Sequence, residues 1–122
     1  MDVLTQFKAN LVSFFDELIE MFPDESQFVM FRILIKDQVP ITIIMDQFIQ
    51  AVLPLRDTIK KRDDRIFTES DALYFGMNKS ECDVFRRIWS SPSLDREDRA
   101  AIWKWLDAFI LIADKYVKAN TQ

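Results

Sequence analysis

Residues Ala101–Tyr116, AIWKWLDAFILIADKY, set two tryptophans one lysine apart within a run of leucine, isoleucine and phenylalanine. At about 100° of rotation per residue, with Lys104 at zero, Asp107, Asp114, Lys115 and Lys118 gather within about 50° of one direction. Ile102, Leu106, Phe109, Ile110, Ala113 and Val117 occupy much of the other side. The stretch is therefore a helix with a narrow polar stripe. Trp103 and Trp105 fall about 160° apart on the two flanks of that stripe, so they cannot form one flat aromatic platform. A surface helix needs an apolar stripe little wider than ~100°, and this one is apolar over roughly twice that. Such a helix is packed on two or three sides, or another chain covers part of it. Leu111 breaks the pattern by falling inside the polar stripe. With Trp103 on the adjoining flank it offers a hydrophobic contact site, although a lone exposed leucine is ordinary.

Working outward, the rest of the chain also reads as helix. Leu4, Phe7, Leu11, Phe14, Leu18 and Met21 recur at steps of three and four, which predicts a helix over Val3–Phe22. Phe15, Ile19 and Phe22 widen its apolar stripe. Pro23 ends it, because a residue before proline avoids α geometry, and Asp24 or Ser26 can cap the next helix. That helix is expected over Glu25–Asp37. Its FVMFRILI core is apolar nearly all round, and Phe28–Ile35 alone would also suit a buried strand. Pro40 suits the first turn of a third helix, whose apolar register runs from Ile41 to about Arg62. Pro54 falls within it: the helix either kinks there or stops at Leu53 and restarts with Pro54 in its first turn, and the unbroken apolar register favours the kink. Thr68 with Asp71, Ser80 with Asp83, and Asp95 with Asp98 have capping-box spacing. These predict a short helix to about Phe75 stopped by Gly76, a helix to about Ser90, and a last helix to about Lys118. The expected fold is all-α: a single compact bundle of five or six helices spanning residues 1–122.

Composition narrows the function. The 122 residues contain one glycine, four prolines, one cysteine and no histidine, with a net charge of −4. A lone Cys82 cannot form an internal disulfide, which suits a reducing compartment. With no histidine beside it, Cys82 reads as structural. An acidic chain is a poor general binder of nucleic acid, whose affinity comes from neutralising phosphates. The start MDVLTQF lacks the features of a signal peptide. Charges interrupt every apolar run before the ~18 residues of a membrane span, so no membrane association is expected.

The absence of histidine removes imidazole bases, Ser-His-Asp and Cys-His systems and the usual zinc sites. One glycine cannot build a phosphate-binding Gly-rich loop. Carboxylate chemistry is left. Asp16 and Glu20, one helical turn apart, would need further ligands to hold a divalent cation, and such pairs are usually solvated surface. Neither an enzyme nor a cofactor or metal site is expected. Methionines 30, 45 and 77 and the many phenylalanines read as core packing.

Two non-catalytic readings compete. Surplus apolar surface favours a protein-interaction module that binds a protein partner or a second copy. Its contacts would be Trp103 and Leu111 on the last helix and Phe28 and Phe31 on the outer face of the second. The alternative is a nucleic-acid-associated factor using Arg56, Lys60, Lys61, Arg62 and Arg65. That cluster is interleaved with Asp57, Asp63 and Asp64, a pattern more typical of a solvated helix end.

The phrases LVSFFDELIEMFP, LIKDQVP, LPLRDTIKKRD and AIWKWLDAFILIADKY resemble those of small helical proteins of large nucleocytoplasmic DNA viruses. The likeness runs over most of the chain and carries no catalytic signature. It implies a viral protein in the cytoplasm of an infected eukaryotic cell or packaged in the virion, and it assigns no residue a role.

Overall fold

The computed structural model describes residues 2–69 and 79–120. Every regular element among them is helical: α1 (Val3–Met21), α2 (Ser26–Ile33), α3 (Ile41–Ala51), α4 (Arg56–Lys60), α5 (Arg65–Thr68), α6 (Lys79–Trp89) and α7 (Arg96–Asn120). The fold is all-α. The chain divides into two units, one of residues 1–47 with 111–122 and one of residues 48–110. The boundaries fall inside α3 and α7. Among the described residues no helix is long and apolar enough to cross a membrane.

In the first unit, α1 starts where a side chain can replace the missing helical acceptor. Asp2 Oδ1 accepts the Thr5 backbone N–H at 2.8 Å and Oδ2 accepts the Thr5 hydroxyl at 2.9 Å. The first of these bonds in particular holds the Asp2 carboxyl below its ordinary value. The helix buries Phe7, Leu11, Phe15 and Leu18, a 3.6-period stripe drawn from the predicted one. It ends at Met21, one residue short of the expected end, and Phe22 N–H bonds Leu18 O at 2.9 Å.

Helix α2 lies against α1 through aromatic side chains. Phe15 stands 6.4 Å from Phe28 and 6.0 Å from Phe31, ring centre to ring centre, and Phe22 is 6.3 Å from Phe28. Burying one such ring contributes roughly 1.5–3 kcal/mol, more than β propensity can oppose, so FVMFRILI is a helix. An ion pair from Arg32 to Asp16 also links the two helices. Neither Asp24 nor Ser26 is the cap: Glu25 holds the N-cap position and Ser26 is the first helical residue. The α geometry stops at Ile33, and Leu34–Gln38 form one π-helical turn closed by Val39 N–H to Leu34 O at 2.8 Å. Val39 is extended, as a residue before proline must be. The Pro40 carbonyl then takes the first bond of α3, from Ile43 N–H at 3.0 Å.

In the second unit, the predicted kink at Pro54 is a break. Helix α3 stops at Ala51, Leu53–Leu55 form a 3-10 turn, and α4 restarts at Arg56. Proline offers no N–H to the Gln50 carbonyl and its ring pushes that carbonyl away. The tighter turn resolves this by bonding Leu55 N–H to Val52 O at 2.8 Å. Val52, Leu53 and Ile59 are buried around it.

Thr68 is the last residue of α5. Asp71, Phe75, Gly76, Met77 and the Ser80 side chain lie outside the described residues, and with them the two predicted caps and the glycine stop. Helix α6 buries Cys82, Ile88 and Trp89. The Asp95–Asp98 box is present at the start of α7. Asp98 N–H bonds Asp95 Oδ1 at 2.8 Å, and Asp95 N–H reaches Asp98 Oδ2 at 3.4 Å. Helix α7 runs two residues beyond its expected end, to Asn120.

These placements predict opposite costs for neighbouring substitutions on α2. Phe28→Ala should lower the unfolding free energy by about 3–5 kcal/mol. Met30→Ala, two residues on, should change it by no more than ~0.5 kcal/mol. Urea unfolding of both variants measures the contrast, and equal losses would contradict the assigned rotation of α2.

Candidate protein-interaction site

Trp103 is 6% exposed and belongs to an aromatic cluster instead of a contact edge. Phe67 of α5 stacks on Trp89 of α6 at 3.9 Å, and Trp103 meets Phe67 edge-on at 5.0 Å and Trp89 at 5.6 Å. The correction has a tertiary cause. Trp103 and Asp107 are one turn apart on α7, and Arg62, from the turn between α4 and α5, crosses both. Its guanidinium lies 5.5 Å from the Trp103 ring centre and donates two bonds to the Asp107 carboxylate, at 2.9 and 2.6 Å. A residue considered for nucleic acid and one considered for protein docking are thus each other's neighbours. Arg99 does the same for Trp89, with its guanidinium 5.4 Å from the ring and a 3.0 Å bond to the Trp89 carbonyl.

The turn that delivers Arg62 is a Schellman stop. Asp63 N–H bonds Thr58 O at 3.3 Å and Arg62 N–H bonds Ile59 O at 3.0 Å. That motif places its C′ residue in left-handed geometry, usually a glycine, and here the residue is Arg62 with φ 58°. Arg65 is also committed, since its guanidinium forks onto Asp63 at 3.0 and 2.7 Å. Its hydrogen bonds are the main reason the Asp63 carboxyl is pulled down to about 2. Among the five cations predicted to grip nucleic acid, Arg62 and Arg65 are therefore engaged with carboxylates within the chain. Arg56, Lys60 and Lys61 are exposed.

Phe28 is fully buried and Phe31 is 8% exposed, so they form the inner face of α2. The outer face lies about 180° around the helix and consists of Val29, Met30 and Ile33. These are 43%, 55% and 43% exposed. They sit at i, i+1 and i+4, within an arc of about 100°, so they make one apolar strip. Ile43 on α3 and Leu111 on α7 are the other large exposed apolar side chains among the described residues, and Leu111 is where its helical phase put it. Asp16, considered as a cation ligand with Glu20, spends its carboxylate on Arg32. Sequence reasoning missed Val29, Met30 and Ile33. The only signal for them was the excess of apolar residues in FVMFRILI, which does not say which side faces water. Comparison with protein-family models, characterised proteins and solved structures returns no match.

Two measurements check this geometry. Arg62→Gly and Arg62→Ala lose the same contacts, but only alanine retains the cost of left-handed backbone, about 1 kcal/mol or more. The glycine variant should unfold at the higher urea concentration, and equal midpoints would argue against a left-handed Arg62. The Asp63 carboxyl should titrate near pH 2 in a carbon-detected NMR experiment. Because its folded value lies below the ordinary 3.8, its contribution to stability is full above that value. It is lost as pH falls toward 2. Arg65→Gln should raise the titration toward the ordinary value, while the residue-65 backbone N–H, which also bonds the carboxylate, keeps it below.

Proposed function

We propose that this chain is a non-enzymatic helical interaction module that docks a protein partner on the outer face of α2. The observation that carries the reading is the strip of Val29, Met30 and Ile33 held toward water while Phe28 and Phe31 anchor the opposite face. A β-branched and thioether surface on a helix already fixed by its other side has little folding work left to do. Such strips are what helix-in-groove and helix-on-helix contacts use. The missing imidazole and Gly-rich loop favour binding over catalysis. If its resemblance to small helical proteins of large nucleocytoplasmic DNA viruses holds, the module would work in an infected cell or in the virion. The nucleic-acid alternative is weaker, because Arg62 and Arg65 would have to leave Asp107 and Asp63 to meet phosphate.

A photo-crosslinking amino acid at position 30 or 33, in the native cell, should yield a defined covalent adduct with a partner. The same group at the exposed Lys104 should not. Equal labelling from all three positions, or none from 30 and 33, would overturn the reading.

A further inference from the structure

The charge around the outer face of α2 identifies the kind of partner that fits it. The unit of residues 1–47 with 111–122 contains nine acids and five bases, and the unit of residues 48–110 contains eleven of each. The whole net charge of −4 therefore belongs to the unit that also holds Val29, Met30, Ile33, Ile43 and Leu111, all of them exposed. Exposed acids flank α2 along the chain, Asp24 before it and Asp37 after it. Of the two bases between Asp24 and Gln38, Arg32 is bound to Asp16 and Lys36 is exposed.

Three kinds of occupant respond differently to that field. A second copy would bring one acidic unit against another, and like charges brought together across an interface cost several kcal/mol. A membrane with anionic headgroups draws in basic segments and repels an acidic one. A basic amphipathic helix meets both features at once. Its apolar stripe covers a strip one helix wide, and its lysines and arginines reach the acids that flank α2. We infer that the outer face of α2 receives a basic amphipathic helix from another protein. The inference rests on the docking role of α2 proposed above and names the partner's chemistry.

The test uses the full chain and two synthetic helices of about four turns, one of leucine and lysine and one of leucine and glutamate, read by amide NMR shifts and titration calorimetry. The lysine peptide should bind, shift the amides of α2, and weaken severalfold in raised salt. Val29→Gln/Met30→Gln/Ile33→Gln should weaken it at least tenfold, with unchanged circular dichroism. Asp24→Asn/Asp37→Asn leaves the apolar strip whole and should weaken it severalfold. Lysine-peptide binding undiminished in both variants, or no binding, would overturn the inference. So would preference for the glutamate peptide, recruitment to anionic vesicles through the same residues, or sedimentation as a dimer lost in the triple variant. A glutamate-peptide, vesicle or dimer result that depends on positions 29, 30 and 33 would still leave α2 as a docking face. Failure of crosslinking from positions 30 and 33 would remove the docking reading itself.

Discussion

Phe15 touches both Phe28 and Phe31, and that contact fixes the rotation of α2 about its own axis. The functional geometry of the first unit depends on it. With two rings one turn apart seated on α1, the residues roughly 180° away have no choice but to face water. The Arg32–Asp16 pair adds direction but little energy, since both side chains are partly exposed and such pairs contribute about 1 kcal/mol or less. The aromatic contact contributes several times as much. An unpaired Arg32 would therefore leave α2 in place, whereas a lost Phe28 would free it to roll. The exposed strip is a consequence of the buried one.

The second unit shows how a surface that reads as available can be consumed inside the chain. Trp103 flanks the polar stripe of α7, and on an isolated helix it would be half in water. Arg62 covers it at the cost of a left-handed residue, roughly 1–2 kcal/mol for a side chain other than glycine. The pair with Asp107 is 41% and 48% exposed at its two side chains, so it returns about 1 kcal/mol or less. The approach to the indole adds about 0.5–1 kcal/mol, and the Schellman bonds satisfy two carbonyls that would otherwise end α4 unpaired. These terms are close to balance. Exclusion of water from the Phe67–Trp89–Trp103 cluster tips it, because the three rings together bury far more apolar surface than the turn spends in strain.

The legible and illegible parts of this chain divide by the range of the force involved. The stripe of α1, the reciprocal Asp95–Asp98 cap and the polar stripe of α7 are set by residues three to seven positions apart, so their spacing carries them. Pro54 announced a defect, but its form, a stop with a 3-10 turn, goes with the burial of Val52 and Leu53 immediately before it. The rotation of α2 was not legible, because FVMFRILI is apolar on every side and only the position of Phe15 breaks the tie. The covering of Trp103 was not legible either, since Arg62 and Asp107 are 45 positions apart. A left-handed turn without glycine gives no local warning. As a result Leu111 was placed correctly, while Phe28, Phe31 and Trp103 were assigned to the surface although each is buried.

Exposure alone does not make a contact site, and Leu111 shows why. It is the most exposed of the large apolar side chains among the described residues, at 59%. Yet its stripe also carries the charged Asp114, Lys115 and Lys118. A partner covering Leu111 would have to desolvate those charges to gain one side chain's worth of burial. Met30 is slightly less exposed, but Val29 and Ile33 adjoin it on the same arc, and the acids flank α2 along the chain. A partner docking there, as proposed, would cover three adjoining apolar side chains, and charges outside the strip could be paired at the rim. The adjacency of apolar groups on a helix whose other face is locked, more than the exposure of any one of them, singles out α2.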